Sequence, residues 1–371
     1  MRSTVQSSLL KETFSCGLLG ILSFVLSAFA QPSPQAAIAG RVLDDSTSAP
    51  VSNVNVFVAN TTLGCSTDER GLFEIRNIPF GTHEIVVSRI GYSLHSFRTS
   101  LTESRTRRFE IRLKPMSVQL EEVMVSAPDP VEWRKQLQKF NDLFLGNTQN
   151  AEHCRITNAE ILDFNVDGLD VFEATARQPV EIENLALGYH VQMLLKTFKV
   201  ENEVMILEGM PKFTELRPST PAQEVEWRKN RMRAFRGSLR HFLISLFNSQ
   251  LGHDGYSIFH LDFLRMDRVA SSRKLVTEDE ILSYGPGTGQ KTLRFSGFLE
   301  VEYNGDVESG YNLLHKAGTT GQVSWLALNY FAITITERGS VNEGFPTKVF
   351  GYWSWKRMAD ALPLDFEPEK E

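Results

Sequence analysis

Residues 38–92 constrain the fold more than any other stretch of this chain: IAGRVLDDSTSAPVSNVNVFVANTTLGCSTDERGLFEIRNIPFGTHEIVVSRIGY. Short apolar runs are separated by turn-forming residues about every 8–12 positions. Residues 38–43 alternate, and Asp44-Asp45-Ser46 ends the alternation. Val54, Val56 and Val58 share one strand face, with Asn53, Asn55 and Phe57 on the other. Residues 60–64 turn the chain. Thr67-Asp68-Glu69-Arg70-Gly71 is a second turn, in which Asp caps its own backbone and Gly supplies positive φ. Strands follow at 72–78 and 83–90, parted by Pro79-Phe80-Gly81. The unbroken run Ile85-Val86-Val87 predicts a strand covered on both faces. Strands at 93–101 and 107–113 complete an all-β sandwich of about seven strands.

The first thirty residues differ from the rest. Arg2 and Lys11 precede the uncharged run GLLGILSFVLSAF, and Ala28-Phe29-Ala30 follows the small-x-small cleavage pattern. Residues 1–30 therefore read as a signal peptide whose apolar run is too short to span a bilayer comfortably. Cys16 lies ahead of the apolar run, not at the cleavage point where a lipoprotein cysteine would stand. No later segment has the length of an apolar helical span, so an exported protein without an integral membrane helix is expected. The net charge of −6 offers nothing to nucleic acid. Cys65 and Cys154 remain in a compartment that permits disulfides, but they fall in different expected domains, and two free thiols are the simpler reading.

Several motifs carry a resemblance. Gly40-x-Val42, Pro50 before the valine strand, T-D-x-x-G-x-F-x-I at 67–75, I-P-x-G at 78–81 and I-G-Y at 90–92 resemble the carboxypeptidase regulatory-like domain, a transthyretin-like sandwich. The resemblance covers residues 36–115. It implies a non-catalytic appendage, since the regulatory domain is separate from the peptidase itself. The peptidase would need an H-x-x-E zinc pair and a distant His. None of the eight histidines has Glu or Asp three residues on, and H-E-x-x-H is absent. No metal, cofactor or catalytic residue is assigned.

Residues 116–130 read as a linker strand. LEEVMV at 120–125 resembles the junction after a similar sandwich in TonB-dependent receptors. Residues 131–371 do not supply the roughly 22 amphipathic strands of such a receptor's barrel. Residues 131–368 read instead as an α+β, β-rich domain. A helix is expected at 131–144, strands across 160–216, and a long helix from Thr220 to about Asn248. Thr220, Pro221 and Gln223 form its capping signature, and Met232, Phe235, Leu239, Phe242, Leu243 and Leu246 its apolar stripe. Strands are expected at 293–303 and 323–336. FLGNTQNAEHC at 144–154, NLALGYHV at 184–191, GSLRHFLISL at 237–246 and GYWSWKRMADALPLDFEP at 351–368 resemble a domain of unknown function that accompanies this sandwich in secreted proteins of Bacteroidota-type bacteria.

Two groups of residues are candidate contacts. Arg228, Arg231, Arg236 and Arg240 give the long helix a basic side, either a patch for phosphate-bearing lipid or an acidic partner, or a solvated face. Tyr352, Trp353 and Trp355 offer a sugar-stacking platform or core packing; in a strand, Trp353 and Trp355 share a face. The loop Gly285-Pro286-Gly287-Thr288-Gly289-Gln290-Lys291-Thr292 is not a phosphate loop, because Gln290 replaces the glycine before Lys291 and a strand follows. Asp163/Asp167 and Glu300/Glu302 read as polar strand faces before glycosidase acids. G-x-S-x-G is absent.

The expectation is a non-enzymatic secreted or envelope protein, periplasmic, outer-membrane associated or extracellular. Its sandwich is an accessory or interaction module for protein or glycan partners. A hydrolase of unrecognised type in residues 131–368 is the alternative. Association with TonB-dependent uptake is a further one.

Overall fold

In the computed structural model, residues 35–116, 130–167, 171–201, 204–263, 273–287, 289–315, 321–341 and 347–369 are described. The expected signal peptide at 1–30 and the linker residues 117–129 lie outside them. The N-terminal strands are β1 (Gln35–Asp44), β2 (Asn55–Val58), β3 (Gly64–Ser66), β4 (Leu72–Pro79), β5 (Gly81–Ser88), β6 (His95–Leu101) and β7 (Thr106–Leu113). They form two sheets, ordered β4-β1-β7 and β3-β2-β5-β6. All pairings are antiparallel except that of β1 with β7. Only the short β3 was not foreseen, because residues 60–64 read as a turn running straight into the next one.

The turn residues act as their chemistry dictates. The Asp68 carboxylate accepts the N–H groups of Arg70 (2.9 Å) and Leu72 (2.8 Å). Gly71 has φ +73°, and a Cβ there would stand 2.5 Å from the Val42 carbonyl oxygen. The Thr67 hydroxyl donates to the Val51 carbonyl (2.8 Å) and accepts the Val54 N–H (2.9 Å), fixing the approach to β2. Tyr92 of the I-G-Y motif donates to Asp44 (3.0 Å), closing the end of β1. Ile38, Val56, Val58, Ile75, Ile85, Val87 and Leu113 pack between the sheets.

The remaining face of β2 and β5 is not open to water. Phe57, Ala59 and Val86 pack against Met210 and Leu194 from the second part of the chain. This is the second cover that the Ile85–Val87 run required. Burying Phe57 and Val86 contributes about 1.5–3 kcal/mol each.

The second part begins with helix α1 (Pro130–Phe144). Strands β8 (Cys154–Ile156), β9 (Leu162–Asp167), β10 (Val171–Ala176), β11 (Val180–Asn184), β12 (Tyr189–Glu201) and β13 (Val204–Glu215) form one sheet, ordered β8-β11-β12-β10-β9, with β13 along the other side of β12. Phe140 and Phe144 of α1 pack on Phe198 and Phe164 of this sheet. Asp360 accepts Thr148 Oγ1 and Asn150 Nδ2, both at 2.7 Å, and Arg233 donates to Asn150 Oδ1 (2.9 Å). Residues far apart in sequence are thereby joined inside the fold, where a satisfied polar network specifies one arrangement.

The expected long helix is two helices, α2 (Pro221–Phe235) and α3 (Leu239–Phe247). Gly237 lies between them at φ +71°, and a Cβ there would meet the Gln322 side-chain oxygen at 2.2 Å. Ser238 restarts the helix by accepting the His241 N–H (3.1 Å). At the start of α2, the Thr220 hydroxyl accepts the Gln223 N–H, while the Gln223 side chain accepts from Ser219. The return half of the capping signature is thus displaced by one residue.

The last part contains β14 (Tyr256–Leu261), β15 (Lys274–Leu275), helix α4 (Glu278–Ile281), β16 (Leu282–Tyr284), β17 (Gln290–Leu293) and β18 (Phe298–Tyr303). Helix α5 (Ser309–His315), β19 (Gln322–Leu328), β20 (Ile333–Thr336), β21 (Thr347–Gly351) and helix α6 (Tyr352–Trp355) follow. Sheets β15-β14-β18-β19-β21 and β16-β17-β20 enclose Phe242, Leu246, Leu299, Leu326 and Ile335. Both expected strands are interrupted, the first at residues 294–297, which leaves only Leu293 in β17, and the second at residues 329–332. The glycine-rich loop joins β16 to β17 as an antiparallel hairpin. The sandwich and everything after it belong to one compact unit.

Gly237→Ala should lower stability by about 2 kcal/mol or more, because positive φ and the Gln322 clash act together. The denaturant midpoint measures this; an unchanged midpoint would contradict the two-helix geometry.

Candidate functional site

The turn after β11 has the sequence Leu185-Ala186-Leu187-Gly188, and its carbonyls need donors. Helix α2 supplies them from one face. Trp227 Nε1 donates to Leu185 (2.7 Å), Asn230 to Ala186 (2.9 Å), and Arg231 to Leu187 (2.7 Å) and Gly188 (3.3 Å). The Trp227 ring lies on Gly188, where a Cβ would come within 2.3 Å of it. The Arg231 guanidinium sits 4.1 Å from the Tyr189 ring centroid and reaches Glu215 at 3.0 Å.

This docking leaves a cleft of about 340 Å³. Trp227, Arg228, Arg231 and Met232 of α2 form one wall, and Thr62 of the sandwich reaches it from another element. Asp365, Phe366, Glu367 and Glu369 complete it. Asp365 accepts both the N–H (2.9 Å) and the hydroxyl of Thr62. Leu364 N–H donates to the Asn60 carbonyl (2.7 Å). Sequence reasoning missed Thr62, Tyr189, Trp227 and Asp365 as site residues; Tyr189 and Asp365 lie within the segments 184–191 and 351–368, and Thr62 and Trp227 carry no signal of a site.

Arg240 holds the C-terminal segment in place. Its guanidinium donates to the carbonyls of Arg338 (3.1 Å), Pro363 (2.9 Å), Leu364 (2.8 Å) and Phe366 (2.9 Å). Desolvation brings its pKa down to about 10, and it stays charged at neutral pH. The four candidate arginines therefore do not form one solvated face. The break at Gly237 redirects α3, Arg240 is consumed by main-chain carbonyls, and Arg231 is consumed at the Leu187 turn. Arg236 stands at the break itself. Arg228 remains at the cleft, bound to Glu224 (3.4 Å) and Glu369 (3.2 Å).

Tyr352, Trp353 and Trp355 are 1%, 7% and 9% exposed. They lie on a helix, not a strand, so positions three apart share a side. Tyr352 and Trp355 pack on Tyr311, at 5.1 and 5.9 Å between ring centroids. Trp353 packs on Phe242 and donates to the Gly237 carbonyl (2.7 Å). Rings engaged in this way present no flat face to a sugar.

A serine, a histidine and an aspartate also meet near α3. Ser245 is fully buried and directs its hydroxyl at Asp254 (2.6 Å) and at the His241 carbonyl (3.0 Å). His241 Nδ1 accepts the Gly237 N–H (3.1 Å) and faces the Tyr256 hydroxyl (2.8 Å). The serine is therefore not bonded to the imidazole that would activate it. Glu300 and Glu302 are bound to Arg273, at 2.7 and 2.5 Å. Asp163 is paired with Arg177 (3.1 Å). Cys65 and Cys154 are free thiols, and burial pushes Cys154 up to about 12. Among the described residues no three His, Cys, Asp or Glu side chains are placed to share a metal ion. No described helix is long and apolar enough to cross a membrane.

Residues 38–125 match the family model of the CarboxypepD_reg-like domain. The match covers the sandwich and ends in the linker; the cleft lies at its border. No functionally curated protein matches the chain. A type II cohesin–X-dockerin complex from Acetivibrio cellulolyticus is 23% identical over 21% of this chain and 56% of that chain, with a TM-score of 0.19. The minor pilin of Streptococcus agalactiae is 14% identical over 23% of this chain and 46% of that chain, with a TM-score of 0.20. The chain thus spans about half the length of these two. Likenesses this slight assign neither activity nor partner.

Two outcomes follow. Arg240→Met should cost about 3 kcal/mol, because it strands carbonyls that a charged donor satisfies. It should also make residues 363–369 sensitive to protease; wild-type resistance of that segment would refute the anchoring role. His241 is held down at about 4, chiefly by desolvation, with Arg236 and Lys356 adding to the shift and Asp254 opposing it. The unfolded chain then binds more protons between pH 6.5 and about 4. His241 should contribute full stability above pH 6.5 and lose it progressively as pH falls to about 4. Thermal melts of wild type and His241→Gln should converge on acidification; parallel curves would remove the assignment.

Proposed function

We propose that this is a non-catalytic exported protein of the bacterial envelope that binds a protein or glycan partner in the cleft between its sandwich, α2 and the C-terminal segment. The observation that carries this reading is the composite wall. Thr62, Tyr189, Trp227 and Asp365 come from four separate stretches of chain and surround one concave space. Concave sites at the junction of packed units are where ligands are commonly taken. The aromatic side chains supply contact area, and the charged groups at the rim supply selection. In this reading the sandwich is an accessory module that supplies part of the wall and closes the face of β13.

The hydrolase alternative gains no support from the Ser245–His241–Asp254 grouping, whose hydrogen bonds run the wrong way for an activated nucleophile. An association with TonB-dependent uptake rests on residues 120–125, outside the described residues. Export itself rests on the expected signal at residues 1–30.

Peptide and glycan arrays probed with wild type and Pro218→Trp test the reading. Pro218 is exposed at the cleft, so tryptophan there should fill the space without unfolding the protein. Ligands retained by wild type should lose at least tenfold in affinity. Binding that is indifferent to Pro218→Trp, or no binding on either array, would reject it.

A further inference from the structure

We infer that the Arg228 end of the cleft recognises an acidic peptide segment, and that residues 367–369 of the chain occupy that place in cis. The inference rests on the cleft being the binding site proposed above. Arg231 and Arg240 cannot serve, since main-chain carbonyls already hold them. Arg228 differs in kind. Its side chain is 53% exposed, and its partners are carboxylates that are themselves 57% and 64% exposed. Exposed ion pairs of this sort contribute about 0–1 kcal/mol, so exchanging one carboxylate for another costs little.

The two partners are not equivalent. Glu224 lies one helical turn before Arg228 and stays beside it whatever the C-terminal segment does. Glu369 arrives from a distant part of the sequence, delivered by residues 363–366. Those residues are fixed by the Arg240 donations, by Leu364 to Asn60 and by Asp365 to Thr62. Phe366 is further set against Phe235, at 6.1 Å between ring centroids. Beyond Phe366 the character of the contacts changes to ion pairs of exposed carboxylates: Glu367 with Arg338 (3.8 Å) and Glu369 with Arg228. Pro368 has no N–H and holds Glu367 extended, so this stretch offers side chains in place of a hydrogen-bonding ladder.

The sequence Asp365-Phe366-Glu367-Pro368-Glu369 is therefore an acidic irregular stretch laid along the cleft against the exchangeable Arg228, anchored at one end and loosely held at the other. A partner segment with a carboxylate at the matching position would displace Glu369 while leaving residues 363–366 in place. The chain as a whole is net negative, so recognition depends on this local contact and not on long-range attraction.

The full chain and a fluorescein-labelled Asp-Phe-Glu-Pro-Glu peptide with blocked ends provide the test. Glu369→Gln should bind the peptide up to about fivefold more tightly than wild type, since it removes the competitor in cis. Adding Arg228→Gln should abolish that gain. Both positions are exposed, so folding should be unaffected. Equal binding by wild type and Glu369→Gln, persistence of the gain without Arg228, or no peptide binding by any variant would overturn the inference. A uronic-acid oligosaccharide serves as the parallel probe; if it and not the peptide responds to Glu369→Gln, the partner is an acidic glycan and the peptide proposal falls. Array ligands sensitive to Pro218→Trp alongside an indifferent Glu369→Gln would leave the cleft standing and remove only its self-occupation.

Discussion

The apolar side of β2 and β5 that faces away from the sandwich core sets the rest of the structure. Phe57 and Val86 must leave water, and Met210 and Leu194 provide the surface that takes them. Seating the sandwich there carries residues 60–62 alongside the β13 segment near Lys212. Asn60 then meets Leu364, and Thr62 meets Asp365. One hydrophobic contact thus positions the polar contacts, and those contacts position the wall of the cleft. The order is physical as well as descriptive: hydrophobic burial is non-directional, whereas the hydrogen bonds around it require fixed geometry.

The arginines show how the same residue type divides between structure and recognition. Two of the four, Arg231 and Arg240, are taken up by main-chain carbonyls, and a charged donor given several carbonyls satisfies groups that no apolar residue could. Arg240 is the extreme case, with four carbonyl acceptors and its pKa pulled down to about 10. A basic stripe in a sequence is consequently ambiguous until its acceptors are known. Here the acceptors lie at residues 187–188, 338 and 363–366, none of which is near the arginines in sequence.

The sandwich was legible because its signals are local. Alternation, Asp-and-Gly turns and the I-G-Y corner each involve a few neighbouring residues, and the CarboxypepD_reg-like match covers the same stretch. The Ile85–Val87 run even announced a second covering surface without naming it. The second part was less legible for identifiable reasons. Gly237 interrupts an apolar stripe that is otherwise continuous, because the space beside Gln322 admits no side chain. YWSW is compatible with strand or helix: a strand would set Trp353 and Trp355 together opposite Tyr352, whereas the helix sets Trp355 beside Tyr352. The cleft was not legible at all, since Thr62, Tyr189, Trp227 and Asp365 become neighbours only after three sheets have packed.

The bridge between Thr61 and Lys212 has a meaning beyond holding two parts together. Asn60 N–H donates to the Pro211 carbonyl and Thr61 accepts from the Phe213 N–H, in a parallel pairing on the outer side of β13. Those are the main-chain groups by which an open sheet margin recruits other chains into unwanted association. The sandwich meets those groups at residues 60–61, so along this stretch the margin of β13 is already occupied by the protein's own chain.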